Sequence, residues 1–365
     1  MKKFAKMSLV AAIAVAGLTS TATAGSLEEA IKGVNISGFV EYRSETTVKT
    51  TADVAEENSH DIDVRLTAVI PVNDMVNATI RFDETADEDS DDGVLDADPI
   101  AFDMDRIYFT YLNNGLSSSF GLIGAPLTDG GSADGVTVSK TVNGISLTGG
   151  YLTSTSATTA DEVVYASISG SAASIAYNAT YAVVNDSEGT DTLGTAADGA
   201  ANALHAGLST TVEGFNVAVN YGSLSDKAGQ EDQSQVKVSA STTVGAVNLG
   251  LAYASNDKNG GETMLDGSDA AASEISIGAI ELSQEGNASA LLATVSMALG
   301  EKGTGKIRYA TTSNDAANSD INVLRVNYDH QMSSNFKVYA EYTANDDDSF
   351  ATKASDYVIG AKYTF

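Results

Sequence analysis

The strongest constraint on the fold is an alternation of apolar and polar side chains that returns through most of the chain. In the stretch VNISGFVEYR, Ile36, Val40 and Tyr42 fall on one face of an extended segment, and Glu41 and Arg43 fall on the other. Successive side chains of a β-strand point to opposite faces, so a period of two predicts strands. Most repeats are about ten residues long, which is the length of a tilted strand that crosses the apolar band of an outer-membrane barrel.

The connections between these segments alternate between short and long. Outer-membrane barrels have short periplasmic turns and long external loops, so this alternation places both termini on the periplasmic side and requires an even strand number. We therefore predict an all-β fold, a transmembrane antiparallel β-barrel of about 18 strands. The predicted strands are residues 34–45, 60–70, 76–84, 101–112, 117–124, 135–142, 145–154, 161–170, 173–184, 203–212, 215–224, 234–243, 246–255, 288–298, 304–312, 320–330, 335–345 and 355–365.

One further segment, residues 273–286, also alternates. As a spanning strand it would make the strand number odd, so we place it in a long external loop.

The N-terminus predicts export from the cytoplasm. Residues 1–24 contain three lysines, an apolar run from Met7 to Leu18 and small residues before Gly25, which is the pattern of a cleavable signal peptide. The apolar run is too short for a membrane-spanning helix. We expect residues 25–33 to form a short periplasmic segment and residues 34–365 to form the barrel, in the bacterial outer membrane.

Composition excludes several functional classes. The net charge is −29, which disfavours nucleic acid as a partner, and the chain has no cysteine for disulfides, thiolate metal sites or a cysteine nucleophile. The three histidines, His60, His205 and His330, lack the spacing of metal ligands. No G-x-S-x-G motif occurs, and no nucleophile is paired with a base, so we predict that the protein is not an enzyme and requires no cofactor.

A G-x-x-x-x-G-K match at Gly300 to Lys306 raises the possibility of a phosphate-binding loop. Such a loop needs a Ser or Thr after the lysine and must open a helix, whereas Ile307 follows here and the next residues alternate as a strand. We interpret the match as a periplasmic turn.

Three local stretches carry a family resemblance. The segment SLEEAIKGVNISGFVEYR after the predicted signal, together with RIYFTY and the closing strand DYVIGAKYTF, resembles the major outer membrane porins of Campylobacter and its relatives. As an outer-membrane barrel, the protein is expected to contact outer-membrane lipid and lipopolysaccharide. The resemblance implies an 18-stranded homotrimeric general porin. It also implies cation preference and a third external loop folded into the lumen. Because the chain has no Trp, its interfacial aromatic residues must be Tyr and Phe.

The arginines identify a candidate pore wall. All six have the parity opposite to the apolar face of their strands and are therefore predicted to face the lumen. Acidic residues of the same strands share this inward parity and are expected to neutralise much of the wall, and Asp129 and Asp134 of the third loop are expected to lie opposite it. The predicted pore-lining residues are Arg43, Arg65, Arg81, Arg106, Arg308, Arg325, Glu41, Asp63, Asp83, Asp105, Asp329, Asp129 and Asp134.

The second external loop is the most acidic part of the chain, with eleven acids and no base from Asp83 to Asp105. Its start resembles a calcium loop, but Gly93 is one place late and no glutamate closes the motif. A solvated acidic loop is one interpretation, and a weak calcium site is the other. The candidate ligands are Asp87, Asp89, Asp91 and Asp92.

These observations favour a passive, water-filled diffusion channel for small hydrophilic solutes and ions. We expect moderate cation selectivity, because the acidic external loops surround the channel mouth. The alternative is a non-conducting surface barrel, such as an adhesin or a coat protein.

Overall fold

The computed structural model describes residues 33–49, 57–89, 103–127, 132–156, 159–186, 200–226, 232–261, 272–282, 286–314, 320–347 and 353–365. The predicted signal peptide, residues 1–24, lies outside the described residues, as does all of residues 25–33 except the last.

Eighteen long strands correspond one to one with the predicted strands, and two short strands form a separate hairpin. Their bounds are β1 Asn35–Lys49, β2 Glu57–Asn73, β3 Val76–Asp89, β4 Asp103–Asn113, β5 Leu116–Gly124, β6 Ser132–Val142, β7 Ile145–Ser156, β8 Thr159–Ala172, β9 Ile175–Asp186, β10 Ala200–Val212, β11 Phe215–Asp226, β12 Gln233–Val244, β13 Val247–Asn256, β14 Ser276–Ile277, β15 Ile280–Glu281, β16 Ala288–Leu299, β17 Gly303–Asn314, β18 Ile321–Gln331, β19 Phe336–Asp347 and β20 Lys353–Thr364.

The long strands form a closed barrel. Each pairs antiparallel with its neighbours in the chain, β13 pairs with β16, and β1 pairs with β20 to complete the ring. At the seam, the Gly38 amide donates to the Phe365 carbonyl at 3.0 Å, and the Phe365 amide donates to the Gly38 carbonyl at 3.1 Å. Closure leaves no sheet edge with unpaired backbone groups.

In the residues that the structure describes, no helix is long and apolar enough to cross a membrane.

The outer wall is apolar and carries most of the aromatic residues. Large apolar side chains such as Val40, Leu251 and Ile359 are exposed there, as expected for a surface that faces lipid. Near the ends of strands, outward tyrosines find polar partners on the next strand: the Tyr151 hydroxyl donates to Glu162 at 2.7 Å. Tyrosines at a membrane interface have this arrangement, with the ring in the apolar layer and the hydroxyl satisfied.

The short connections are tight turns. Asn114 and Gly115 have φ values of 48° and 74°, and Asn143 and Gly144 have 52° and 80°, which is the left-handed backbone of two-residue hairpin turns. The segment that matched a phosphate loop is also a turn, Gly300–Lys302, between β16 and β17, and a strand follows it. The prediction of a turn is confirmed.

We expect trypsin to distinguish the two ends of the barrel. Lys258 is exposed at the end where the connections are long, and Lys302 is exposed in a tight turn at the opposite end. Trypsin added to intact cells should cut after Lys258 and spare Lys302, and disrupting the outer membrane should expose Lys302. Mass spectrometry of the fragments measures this, and cleavage after Lys302 on intact cells would contradict the orientation.

Candidate functional site

The lumen wall is charged on one side of the barrel. Eight neighbouring strands, β17 to β20 and β1 to β4, turn basic and acidic side chains inward, opposite the exposed apolar residues of their outer faces. We call this wall the charged arc, and among the side chains that the structure describes it contains nearly as many acids as bases. Its described members are Arg43, Lys49, Arg65, Arg81, Arg106, Lys306, Arg308, Arg325, Lys337, Lys362, Glu41, Glu45, Asp61, Asp63, Asp83, Asp105, Asp329, Glu341 and Asp356.

Ion pairs link β18 to β19, β20 to β1, and each of β1, β2 and β3 to the next strand. Lys362 on β20 contacts Glu41 on β1 at 2.6 Å, and the Tyr339 hydroxyl donates to the same carboxylate at 2.8 Å. On the next pairs of strands, Arg43 bonds to Asp61 through Nε at 2.7 Å, and Arg65 bonds to Asp83 at 2.9 Å.

Arg43 and Asp61 lie directly opposite each other in the register, as do Arg65 and Asp83. The ion pairs therefore stabilise the strand pairing as well as holding the charges in place.

A β-bulge adds a fourth ion pair to this series. Arg81 and Arg106 lie directly opposite each other, and the register shifts between Arg81 and Phe82, so that Asp105 has no partner on β3. Adjacent residues of a regular strand face opposite sides, but the bulge lets Asp105 and Arg106 both reach the lumen. Asp105 accepts a hydrogen bond from Arg81 Nε at 3.0 Å and lies 4.0 Å from Arg106 Nε.

A second like-charge pair occurs on β17 and β18. Arg308 and Arg325 lie directly opposite each other, and Glu341 of β19 is 3.2 Å from Arg325 Nε and 3.9 Å from an Arg308 terminal nitrogen. Asn327 also donates to Glu341. One carboxylate thus serves two guanidiniums.

The wall from β5 to β13 and β16 is different. Among the side chains that the structure describes there, the inward positions are mostly Ser, Thr, Gly, Ala and Asn, with Lys237 and His205 as exceptions. Hydroxyl pairs such as Ser167 and Thr180, at 2.8 Å, replace the ion pairs of the charged arc.

Two apolar patches lie on the lumen wall near the external ends of the strands. The first spans β5 to β11 and includes Ile123, Leu152 and Val184; Ala125 and Leu127, at the start of the third loop, pack against it. The second lies on β13 and β16 to β18, where the inward residues are small. These are Ala254, Ala288, Ala290, Ala310 and Val323.

A hairpin from the connection between β13 and β16 fills the second patch. We call residues 272–282 the lumen hairpin. Ile275, Ile277, Ile280 and Leu282 are each at most 2% exposed and pack on the small inward residues of the wall. The prediction that residues 273–286 do not form a spanning strand is confirmed for the described residues, but their inward direction was not predicted.

Polar contacts hold the hairpin at both sides. Lys237 Nζ donates to the Glu274 carbonyl at 2.6 Å, and the Ala279 amide donates to Asn345 Oδ1 at 3.0 Å. Gly278 forms the turn with φ 59°, and a Cβ there would lie 2.8 Å from a Val323 methyl, so a larger residue would separate the hairpin from the wall.

The predicted pore-lining residues have different outcomes. The six arginines, Glu41, Asp63, Asp83, Asp105 and Asp329 face the lumen side. The prediction for Asp134 is wrong: it shares the outer face of β6 with the exposed Val136 and Val138, because β6 begins before it and fixes its parity. Asp129 lies outside the described residues. The same strand parity that predicts inward arginines also predicts that Lys306, Lys337 and Glu341 face the lumen.

The calcium hypothesis stays a prediction. The backbone of Asp87 and Asp89 continues β3, and Asp91 and Asp92 lie outside the described residues. Within the described part of the chain, no group of three or more His, Cys, Asp or Glu side chains is placed to hold a metal ion.

A family model described as Gram-negative porin matches residues 9–350. The chain belongs to the Gram-negative porin family. This porin is therefore a channel-forming barrel of the outer membrane. The finer resemblance to Campylobacter-type porins is not confirmed by this match.

Solved structures show the same fold. The porin is similar to OccAB4 of Acinetobacter baumannii, with a TM-score of 0.70, 10% identity, and coverage of 91% of this chain and 98% of that one. It is also similar to OpdK of Pseudomonas aeruginosa, solved with vanillate, with a TM-score of 0.66, 13% identity and the same coverage. No curated protein sequence matches the porin.

We expect the lumen hairpin to narrow the channel. Replacing both Ile277 and Ile280 by Asp would bury two carboxylates against the second apolar patch, at a cost of several kcal/mol each, so the hairpin should leave the wall. Single-channel recording should then show a higher conductance. In the control variant, valine at both positions keeps apolar side chains packed on the patch and should leave the conductance unchanged. Unchanged conductance in a folded Asp variant would show that the hairpin does not narrow the pore.

Asp105 should stabilise the barrel by separating two guanidiniums. In Asp105→Asn, the charge-assisted bonds from Arg81 are lost and Arg81 and Arg106 face each other, so unfolding should be easier by about 1.5 to 3 kcal/mol. Urea unfolding of the lipid-embedded protein measures this. The matched Asp134→Asn change lies on the outer face and should alter stability by no more than about 0.5 kcal/mol. Equal effects of the two changes would contradict this role of the bulge.

Proposed function

We propose that this porin is a passive diffusion channel for small hydrophilic solutes and ions, with a moderate preference for cations. The observation that supports it best is the charged arc, which lines a water-accessible recess of about 550 Å³ inside the barrel. A barrel that only displays surface loops has no need for ion-paired charges along its inner wall. The recess is bordered by Arg43, Lys306, Arg325, Tyr339 and Glu341, among others.

The selectivity rests on two sets of charges. Acids and bases nearly balance among the described side chains of the charged arc, so this wall favours neither ion strongly. The net charge of −29, with eleven acids between Asp83 and Asp105, attracts cations to the channel mouth. The Debye length is about 8 Å at physiological salt and about 30 Å at 0.01 M, so the loop charges act further into the pore as salt is lowered.

Planar-bilayer recording tests this function. We expect stepwise conductance and a reversal potential of cationic sign in a potassium chloride gradient, with selectivity that increases at low salt. Replacing Arg43, Arg65 and Arg81 by Gln should strengthen the cation preference, because their acidic partners lose their counter-charges. Glu162→Gln, on the outer wall, is the matched control and should change nothing.

A silent but folded barrel would instead support the alternative of an adhesin or coat protein. An anionic reversal potential would contradict the cation preference and leave the channel function intact. The homotrimer implied by the Campylobacter-type resemblance and the expected contacts with lipid and lipopolysaccharide stay predictions.

A further inference from the structure

The recess in the charged arc separates its charges into two edges. Strands β17 and β18 contribute a basic edge, formed by Lys306, Arg308 and Arg325. Strands β1 and β20 contribute an acidic edge, formed by Glu45 and Asp356. Other charges around the recess are already matched: Glu41 contacts Lys362 at 2.6 Å, and Asp329 contacts Lys337 at 3.1 Å.

The basic edge has more positive charge than its own acid neutralises. Glu341 is the carboxylate that Arg308 and Arg325 share, and the Arg308 contact is a long 3.9 Å. The buried Nε of Arg308 has no hydrogen-bond partner. Within the described residues, Lys306 makes no salt bridge. This edge therefore has donors and charge left for an anionic group.

The acidic edge has the opposite surplus. Asp356 accepts hydrogen bonds from neutral groups, Thr47 Oγ1 at 2.9 Å and Asn345 Nδ2 at 3.1 Å. Glu45 lies diagonally across the strand pair from Asp356, because Thr47 is opposite Asp356 in the register. Neither carboxylate forms a salt bridge with a described residue, so two adjacent negative charges face the recess without a fixed cation.

We propose that this recess is a transit site for small zwitterionic solutes, such as amino acids and short peptides. The carboxylate of the solute pairs with Arg308, Arg325 and Lys306, and its ammonium group pairs with Glu45 and Asp356. The volume of about 550 Å³ lies within the range of about 300 to 1,000 Å³ that small-molecule sites occupy. The inference rests on the proposed channel function and adds the solute class.

Charge separation is what distinguishes a zwitterion from a simple ion here. A small anion satisfies the basic edge and leaves the two carboxylates unmatched, and a small cation does the reverse. A solute that carries both charges satisfies both edges at once and adds no net charge to a balanced wall. Because each ion pair is partly exposed to water, binding is weak enough to let the solute leave, as conduction requires.

Three tripeptide probes of equal length test the proposal. Triglycine carries both charges at pH 7, N-acetyltriglycine carries the carboxylate alone, and triglycinamide carries the ammonium group alone. The measurement is the concentration of each probe that halves the single-channel potassium current. We expect triglycine to block at a concentration about fivefold lower than either capped probe, the effect of about 1 kcal/mol from one added ion pair.

Charge-neutral variants of each edge make the test specific. Arg308→Gln with Arg325→Gln should remove the advantage of triglycine over triglycinamide. Glu45→Gln with Asp356→Asn should remove its advantage over N-acetyltriglycine. Glu162→Gln and Lys140→Gln, both on the outer wall, are the controls and should keep the full difference. Each edge variant should still run as a folded, heat-modifiable barrel.

The outcomes separate this proposal from the channel function. Normal conductance with equal block by all three probes overturns the zwitterion site and keeps the channel. Loss of the difference in the outer-wall controls also overturns it. If neither the wild-type protein nor any variant conducts, the proposed channel function is wrong. Calorimetric titration of the detergent-solubilised barrel with the same probes then tests the binding site by itself. Tighter binding of triglycine than of the capped probes supports the site, and equal binding overturns it.

Discussion

The backbone hydrogen bonds of the closing seam are the constraint on which the rest of the structure depends. In hydrocarbon an unpaired amide or carbonyl costs several kcal/mol, so the sheet has to close and β1 has to pair with β20. The reciprocal bonds between Gly38 and Phe365 and the Lys362–Glu41 contact lie on that seam. Closure in turn fixes which face of every strand points inward, and that parity places the charged arc in the lumen.

This dependence explains why much of the architecture could be predicted from the sequence. A period of two over about ten residues predicts a strand, shows which side chains share a face, and matches the thickness of the membrane. The 18 barrel strands and the inward parity of the arginines are predicted from this pattern. The prediction for Asp134 is wrong because it ignores strand parity. It assigns Asp134 to a loop, whereas Asp134 lies within β6 at a position that faces outward.

Local register and tertiary packing could not be predicted in this way. The bulge at Asp105 breaks the period by one residue, and its cause is the pairing with β3 rather than any motif in β4. The lumen hairpin has a strand-like pattern, and only the facing wall explains its direction. Inward alanines such as Ala254, Ala290 and Ala310 are unusual in a wet lumen, and they were the available signal that something apolar covers them.

The second apolar patch of the lumen wall adjoins the charged arc. Near the external ends of the strands, the lumen hairpin covers the wall of β13 and β16 to β18, and the start of the third loop packs on the wall of β5 to β11. Thr343 lies between the hairpin and the charged arc: a Cβ at Gly278 would be 3.1 Å from its methyl group, and its hydroxyl accepts a hydrogen bond from Arg325 at 3.0 Å. The lumen hairpin therefore borders the charged arc on β17 and β18, where Ala310 and Val323 lie two residues from Arg308 and Arg325.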